Sequence, residues 1–459
     1  MNEIKYIASL DIGAKLTKLA VWVEDGPEGP GPQVFYEIMP SKGIYENAVS
    51  NKTELKRNIE RMLKSLEARA GFRIREVFVA YAGRDRLIAY TAETVCKTYE
   101  EGSSLTVVSE KDLLQVEADT HNCELEKDEL IYDKEPVVYL ANGHPINGLN
   151  VNTYADRFAC RYNIFAAHEK DVQKLERGLQ EASLQVKAKV CSMRTMNRFY
   201  LPGELIPSGT AILNVGASRS QLGVFVDGHL RHYKTFAFGG NVLTHLLKEA
   251  LGYSPERAEQ AKRNEIDINM QLPLTEEVPT SLFVKSNEPP SPLLVVWAEV
   301  VTHFKTINEQ LREWDVSNLI RNGNGIILTG GGLAFQNIQT YVESLFACMG
   351  MPLRVIKPVK TDHPLVPCSE EAADYDPSIL GAALSLLAFA QKNGDYSRCG
   401  RPAPAAAPEP EPEAAPEEPT PQEPAAKEGE KPQNLLSKGF HQLKSWVSGT
   451  IFGDTSFDE

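Results

Sequence analysis

A repeated strand–turn–strand segment constrains the fold of this chain more than any other feature. Leu10-Asp11-Ile12-Gly13 lies between two strand-like segments, and Leu213-Asn214-Val215-Gly216 lies between two others in the second half of the chain. A third loop, Thr329-Gly330-Gly331-Gly332, follows a short apolar segment typical of a buried strand. Glycine allows close approach of the backbone, and the N–H groups of such turns can cradle phosphate oxygens. The three loops, in this order, predict a phosphate-binding site.

Strands and helices alternate along residues 1–396, which indicates an α/β fold. Short apolar segments predict strands over 4–10, 16–23, 77–81, 211–215, 221–226 and 325–328. Helical spacing of apolar residues predicts helices over 52–70, 171–182, 241–252, 255–263, 293–311 and 380–390. Residues 267–290 contain several prolines and little periodicity, so we expect a loop or an irregular insertion there.

Composition excludes several classes of function. The formal net charge is −14, whereas proteins that bind nucleic acid usually present a basic face, so we expect no nucleic-acid partner. The seven cysteines include no C-x-x-C pair, which argues against a zinc site and against a disulfide framework. The N-terminus does not have the pattern of a signal peptide. The longest apolar segment, residues 379–390, is shorter than the roughly 20 residues that a membrane-spanning helix needs.

The C-terminal region predicts a tether that ends in an amphipathic helix. Residues 397–433 are rich in Pro, Glu and Ala, a composition that favours a disordered, extended linker. Residues 434–453 regain large apolar side chains at helical spacing, with Ser, Lys and His on the opposite face. This pattern indicates a helix in the plane of a membrane, although docking on the body or on a partner would also fit. Its expected lipid-facing residues are Leu436, Phe440, Leu443, Trp446, Val447, Ile451 and Phe452.

The ordered loops resemble those of the actin-like ATPase superfamily, which includes Hsp70 and the sugar kinases. Residues 11–14 with Lys18 are similar to its first phosphate loop, residues 214–218 to its second and residues 329–332 to its adenosine loop. The resemblance implies ATP with Mg²⁺, and Asp11 as the residue nearest the metal. The residues implied to bind nucleotide are Asp11, Gly13, Ala14, Lys18, Asn214, Gly216, Ala217, Ser218, Gly239, Gly240, Glu259, Lys262, Gly330, Gly331 and Gly332.

Within that superfamily the chain resembles the FtsA family of bacterial cell-division proteins. Residues 238–244 followed by 258–262 are similar to the family's G-G-N-x-x-T…A-E-x-x-K stretch, in which Glu259 and Lys262 would clasp ribose and adenine. Taken alone, two residues three apart on a helix would more often form a solvated pair. Residues 137–141, 145–148 and 159–166 resemble the family's inserted subdomain, called 1C. The closing segment 443–452 resembles its membrane-targeting motif.

The resemblance implies a two-lobed actin-like (ribonuclease H-like) α/β fold with a small α+β insert. We expect the first lobe over 1–90 and 169–207, the 1C-like insert over 91–168, and the second lobe with a closing first-lobe helix over 208–396. Residues 253–322 correspond to the family's 2B insert. The implied function is an ATP-binding protein that self-associates and tethers the tail of the tubulin-like protein FtsZ to lipid at the cytoplasmic face of the inner membrane.

Departures from the family pattern predict weak or absent ATP hydrolysis. Asn214 stands where an Asp is usual and contributes no charge to a Mg²⁺ shell. Ala217, Ser218 and Arg219 replace a Gly-Gly-Thr-type run, although Arg219 can offer a charge to phosphate. Residues 192–200 contain no Gln, Glu or Asp to orient water, and Asn197 is their only amide, so catalytic residues stay unassigned. Two alternatives remain: a PilM-like scaffold of type IV pilus assembly, and a true kinase or chaperone.

Overall fold

The computed structural model describes residues 3–25, 31–100, 102–146, 153–201, 203–268, 272–274, 291–357 and 377–400. The predicted linker beyond residue 400 and the predicted amphipathic helix over 434–453 lie outside the described residues. No helix in the described part of the chain combines the length and apolarity needed to cross a bilayer.

The described residues include nineteen strands and ten α-helices. The strands are β1 (Glu3–Ile12), β2 (Leu16–Val23), β3 (Gln33–Pro40), β4 (Ile44–Tyr45), β5 (Ala48–Val49), β6 (Glu76–Tyr81), β7 (Asp85–Val95), β8 (Thr98–Tyr99), β9 (Thr106–Val107), β10 (Glu129–Ala141), β11 (His144–Ile146), β12 (Arg157–His168), β13 (Gln185–Cys191), β14 (Thr210–Val215), β15 (Ser220–Val226), β16 (His229–Phe236), β17 (Gly325–Thr329), β18 (Val355–Ile356) and β19 (Ser397–Gly400). The α-helices are α1 (Lys52–Ala70), α2 (Glu110–Asp119), α3 (Glu169–Glu181), α4 (Ser192–Tyr200), α5 (Gly240–Leu251), α6 (Pro255–Asn264), α7 (Pro292–Glu313), α8 (Ser317–Asn322), α9 (Ile338–Cys348) and α10 (Pro377–Lys392).

The first lobe is a mixed sheet in the order β13-β6-β1-β2-β3, with β19 also paired to β1. The β1–β2 hairpin is antiparallel, whereas β1–β6 and β6–β13 are parallel. Helices α1 and α3 pack together, as do α4 and α10, and both pairs contact the sheet. Because Ser397–Gly400 pairs with β1, these residues belong to the first lobe and not to the predicted linker from residue 397.

Local sequence accounts for the bounds of α1, which are those predicted. Asn51 caps the first turn by accepting hydrogen bonds from the N–H groups of Thr53 and Glu54. Gly71 ends the helix with φ of 77°, a conformation that glycine adopts without steric cost. The apolar side chains between these ends recur at helical spacing and are buried: Leu55, Ile59, Met62, Leu63 and Leu66.

The insert is a four-stranded antiparallel sheet in the order β11-β10-β12-β7, with its own small core. Its edge strand β7 begins at Asp85, so the sheet starts a few residues before the predicted boundary at 91. The sequence did not show this because β7 is continuous with the first lobe through a short turn. Cys96, Cys123 and Cys160 of the insert are buried and free, in keeping with the absence of a disulfide framework among the described residues.

The second lobe repeats the same plan with the sheet order β16-β15-β14-β17-β18. The β14–β15 hairpin is antiparallel and β14–β17 is parallel, as are the corresponding pairs in the first lobe. Trp297 of α7 is fully buried and its indole N–H donates to the Tyr341 hydroxyl at 2.5 Å. Because the two sheets share this strand pairing, the two hairpins present equivalent turns at the ends of the central strands β1 and β14.

Candidate functional site

A cavity of about 250 Å³ lies where the three predicted loops meet. The first-lobe hairpin, the second-lobe hairpin, the Gly330–Gly332 loop and α6 all contribute to its wall. Every predicted nucleotide-binding residue except Ser218 and Gly239 lines it: Asp11, Gly13, Ala14, Lys18, Asn214, Gly216, Ala217, Gly240, Glu259, Lys262, Gly330, Gly331 and Gly332. Residues from chain positions hundreds apart thus share one cavity.

The third loop packs directly on the second through backbone contacts that only glycine permits. Gly330 has φ of 88°, and a Cβ there would lie 2.3 Å from the Val215 carbonyl oxygen. A Cβ on Gly332 would lie 2.3 Å from the Gly216 carbonyl oxygen. At Gly331 the nearest atom would be a side-chain carbon of Ile379 at 3.7 Å, which is ordinary van der Waals contact. Two of the three glycines are therefore required by close approach, and the middle one is not.

Register in the first hairpin places Lys18 directly opposite Asp11. The Lys18 ammonium donates to the Asp11 carboxylate over 2.7 Å, and both side chains are largely buried. The turn is held by the Gly13 N–H, which donates to the Leu16 carbonyl at 3.1 Å, and by the Ser41 hydroxyl, which donates to the Gly13 carbonyl at 2.7 Å. The one predicted carboxylate of this loop is already in an ion pair.

The second loop is a tight turn anchored on the start of α5. The Gly216 N–H donates to the Arg219 carbonyl at 2.8 Å, and the Gly240 N–H donates to the Gly216 carbonyl at 3.0 Å. Gly239 supports this contact from outside the cavity, because a Cβ there would lie 2.5 Å from the Ala217 carbonyl oxygen. Ser218 also lies outside the cavity, where its hydroxyl accepts a hydrogen bond from the Asn241 amide at 3.3 Å.

Glu259 and Lys262 form a partly buried pair and not a solvated one. The Lys262 ammonium donates to the Glu259 carboxylate at 2.7 Å and to the Gly240 carbonyl at 3.0 Å, and its side chain is 8% exposed. Lys15 and Arg263 also contact the Glu259 carboxylate. Burial alone would raise the pKa of Glu259, but hydrogen bonds from Lys15, Lys262 and Arg263 outweigh it and lower the pKa to about 2. Glu259 is therefore ionised, and its contact with Lys15 joins α6 to the first-lobe loop.

Basic side chains outnumber carboxylates in the described lining of the cavity. Asp11 and Glu259 are its acidic residues, and its basic residues are Lys15, Lys18, Arg219, Lys262 and Arg263. A positive cavity in a chain of net charge −14 indicates a site for an anion. Hydrogen-bonding backbone turns and fixed cations together fit the oxygens of a phosphate chain.

The residues present fit a resident Mg²⁺ poorly. Mg²⁺ is usually held by one or two carboxylates together with substrate phosphates. Here Asp11 is paired with Lys18, and the Asn214 amide donates to the Gln221 side chain at 3.4 Å. The described residues contain no group of three or more His, Cys, Asp or Glu side chains arranged to hold a metal ion. Asp11 alone, already neutralised by an ammonium group, is a weak ligand.

Helix α4 supplies Ser192 and Met196 to the cavity, but not the amide that sequence analysis singled out. Asn197 is fully buried away from it, and both amide atoms lack a hydrogen-bond partner among the described residues. Helix α4 contributes no carboxylate to the described cavity wall, and the two carboxylates that line this wall, Asp11 and Glu259, are paired with basic side chains. The positive lining of the cavity suits the binding of a phosphate compound.

Three residues that shape the site were not predicted from the sequence. Lys15 follows Ala14 in the first loop and reaches Glu259 across the cavity. Thr244 donates a hydrogen bond to Glu259 at 3.1 Å and accepts one from Lys262 at 2.9 Å. Arg263 donates to Glu259 at 2.7 Å. Thr244 was present in the quoted motif at helical spacing from Gly240, whereas no sequence signal distinguished Lys15 and Arg263 from other surface cations.

Comparisons with known proteins identify relatives of both sequence and fold. Residues 211–373 match the model of a family described as "Cell division protein FtsA". "Cell division protein FtsA" of Escherichia coli K12 is 21% identical over 373 residues, covering 77% of this chain and 86% of the relative. The Bacillus subtilis protein of the same name is 20% identical over 350 residues, covering 75% and 78%. A solved "PilM-PilN type IV pilus biogenesis complex" aligns with a TM-score of 0.55 and 15% identity, covering 83% of this chain and 98% of that one, which is a likeness of fold.

Proposed function

We propose that this chain is a distant member of the FtsA family with an actin-like α/β fold, and that it is an ATP-binding cell-division protein that anchors FtsZ filaments to the cytoplasmic face of the inner membrane. The observation that carries the nucleotide part of this proposal is the cavity, in which loops from both lobes and the Gly330–Gly332 loop converge. The relatives named for cell division support the cell-division part of the proposal, since they match over most of this chain.

The geometry supports the following division of roles around a bound ATP. The N–H groups of Gly13 and Gly216 are bonded within the hairpin turns, so other N–H groups of these turns would meet the phosphates, and Lys18 and Arg219 would supply positive charge beside them. Glu259 and Lys262 lie on the adjacent wall, where the family resemblance places ribose and adenine. To accept hydrogen bonds from ribose hydroxyls, the Glu259 carboxylate must first give up its contact with Lys15. Loss of that contact would enlarge the cavity toward the volume of a nucleotide site.

We propose that hydrolysis by this protein is slow or absent. Phosphoryl transfer depends on positioned water and on electrostatic stabilisation of the transferring group. Asn214 brings no charge, and Asn197 is buried outside the cavity. The role of ATP is then structural, and its presence would bias self-association. A steady-state rate of ATP hydrolysis of about 1 s⁻¹, which lies within the usual range of enzymes, would refute this part of the proposal.

The C-terminal segment is proposed as the membrane anchor. Its apolar stripe, formed by Leu436, Phe440, Leu443, Val447 and Ile451 with Trp446 on one edge, fits burial at the boundary of headgroups and acyl chains. Two lysines, Lys438 and Lys444, supply its positive charge, so apolar burial must provide most of the affinity. The Pro/Glu/Ala-rich segment that precedes it would let the body stand away from the bilayer while the helix lies on it.

Vesicle co-sedimentation of the full chain tests the anchor. The double substitution Phe440→Glu and Trp446→Glu should abolish binding to vesicles of mixed neutral and anionic lipid. The matched control is Ser437→Glu with Ser448→Glu, which adds the same charge on the polar face of the predicted helix. The control should retain most of the binding. Equal loss in both variants would mean that charge, and not the apolar stripe, controls attachment.

The partner is tested with a peptide from the C-terminal tail of FtsZ of the same organism. Fluorescence anisotropy with the full chain should give micromolar affinity that is lost when the peptide is scrambled. Absence of binding would overturn the anchoring role and direct attention to the PilM-like alternative. That alternative is supported here by fold, since the PilM–PilN complex shares the architecture at 15% identity.

A further inference from the structure

We propose that the cavity binds its polyphosphate as the metal-free anion, with Lys15, Lys18 and Arg219 supplying the positive charge that Mg²⁺ would otherwise bring. This inference rests on the proposed nucleotide binding. It concerns the ionic form of the ligand and the residues that neutralise it. It also gives a role to Arg219, which departs from the usual sequence of the second loop.

The charge of the cavity is the first observation. Its described lining has five basic side chains against two carboxylates, whereas acidic residues outnumber basic ones over the whole chain, 62 against 48. Each carboxylate is already paired: Asp11 with Lys18, and Glu259 with Lys15, Lys262 and Arg263. The cavity is thus positive before any ligand or metal enters. A phosphate chain would find its counter-charges built into the protein.

Arg219 is the second observation. Its side chain lines the cavity and is only 16% exposed, and its buried Nε has no hydrogen-bond partner in the described structure. The nearest carboxylate is Glu46, at 3.8 Å from the guanidinium, too far for a hydrogen bond. A guanidinium is always charged and presents planar donors that match phosphate oxygens. The tight turn from Gly216 to Arg219 fixes the start of this side chain beside the second loop.

The state of Asp11 is the third observation. Its Oδ2 lies 2.7 Å from the Lys18 ammonium, and register across the β1–β2 hairpin holds the two residues opposite one another. A Mg²⁺ ion bound near Asp11 would have to compete with that ammonium for the carboxylate. With Asn214 in place of a second carboxylate, Mg²⁺ has little to gain from this protein. Lys18 and Arg219 lie on opposite lobes, so the anion itself would bridge the two hairpins.

Isothermal titration of the full chain with ATP, in excess Mg²⁺ and in excess EDTA, tests the inference without any variant. The two dissociation constants should agree within about threefold. Arg219→Gln should weaken ATP binding in EDTA about tenfold or more, as expected from loss of a charged hydrogen bond. Arg219→Lys should recover part of that loss. Arg321→Gln, the same change at an exposed site whose side chain contacts Asn318, is the control and should leave binding unchanged.

The outcomes separate this inference from the proposed function. Binding in Mg²⁺ that disappears in EDTA overturns the inference and leaves nucleotide binding intact. No binding in either buffer overturns both. Metal-independent binding that Arg219→Gln does not weaken, in a variant that unfolds at the wild-type temperature, removes Arg219 from the site. Equal affinities with selective weakening by Arg219→Gln support the inference.

Discussion

Gly330→Ala tests whether the glycine-rich loop is defined by close backbone approach. Gly330 has φ of 88° and ψ of 156°, a region that essentially only glycine occupies, so an alanine there costs about 1–3 kcal/mol. The added Cβ would also lie 2.3 Å from the Val215 carbonyl oxygen, and relief of such an overlap costs a further ~1–3 kcal/mol. Alanine also lowers the conformational entropy of the unfolded chain, which offsets about 0.4–1 kcal/mol of this loss of stability. At the midpoints of these ranges, the net loss of stability should be about 3 kcal/mol.

Gly331→Ala is the matched control, because its Cβ would meet only Ile379 at 3.7 Å. Urea unfolding followed by far-UV circular dichroism should place this variant within about 1 kcal/mol of the wild type. Titration with ATP should show weakened binding for Gly330→Ala, since a shifted loop would intrude on the second hairpin. If the two variants unfold within about 0.5 kcal/mol of each other, the loop relaxes freely and our steric reasoning is wrong.

Two further predictions concern stability. Burial raises the pKa of Asp85 to about 7, although hydrogen bonds from Tyr132 and Tyr233 oppose the shift. The folded state therefore holds the Asp85 proton more tightly than the unfolded chain, whose pKa is about 4. The resulting stabilisation is fully present below about pH 4 and is lost as the pH rises through about 7. The stability of Asp85→Asn relative to the wild type should therefore rise between about pH 4 and pH 7 in paired urea titrations, and a constant difference over that range would contradict the assignment. Asn51→Ala removes the cap of α1 and should cost about 1 kcal/mol at neutral pH, whereas Lys52→Ala beside it should cost little.

Much of the fold was predictable because its signals are local. The bounds of α1 follow from a cap at Asn51, apolar spacing and a glycine at position 71, all within one stretch of sequence. The hairpins of both lobes follow from short apolar strands around glycine turns. The three loops occupy the same ends of corresponding strands. Nearly all the predicted residues therefore line one cavity.

The remainder depended on contacts between distant segments. The pairing of Ser397–Gly400 with β1 joins the two ends of the body, and its short sequence shows no strand periodicity of its own. Ser218 and Gly239 carry the right motif yet lie outside the cavity, because the turn and the start of α5 direct them away from it. A motif identifies the loop, but the packing of its neighbours decides which atoms face the ligand.

The sequence by itself determined the alternation of elements, the three loops and the Asn214 substitution, because these are properties of short segments. Only the tertiary structure decided the electrostatics of the cavity. Lys15 meets Glu259 and Arg219 faces the same space only when the two lobes pack together. Burial lowers the pKa of Lys262, whereas at Glu259 hydrogen bonds from Lys15, Lys262 and Arg263 outweigh burial and lower the pKa, and all of these contacts exist only in the assembled fold.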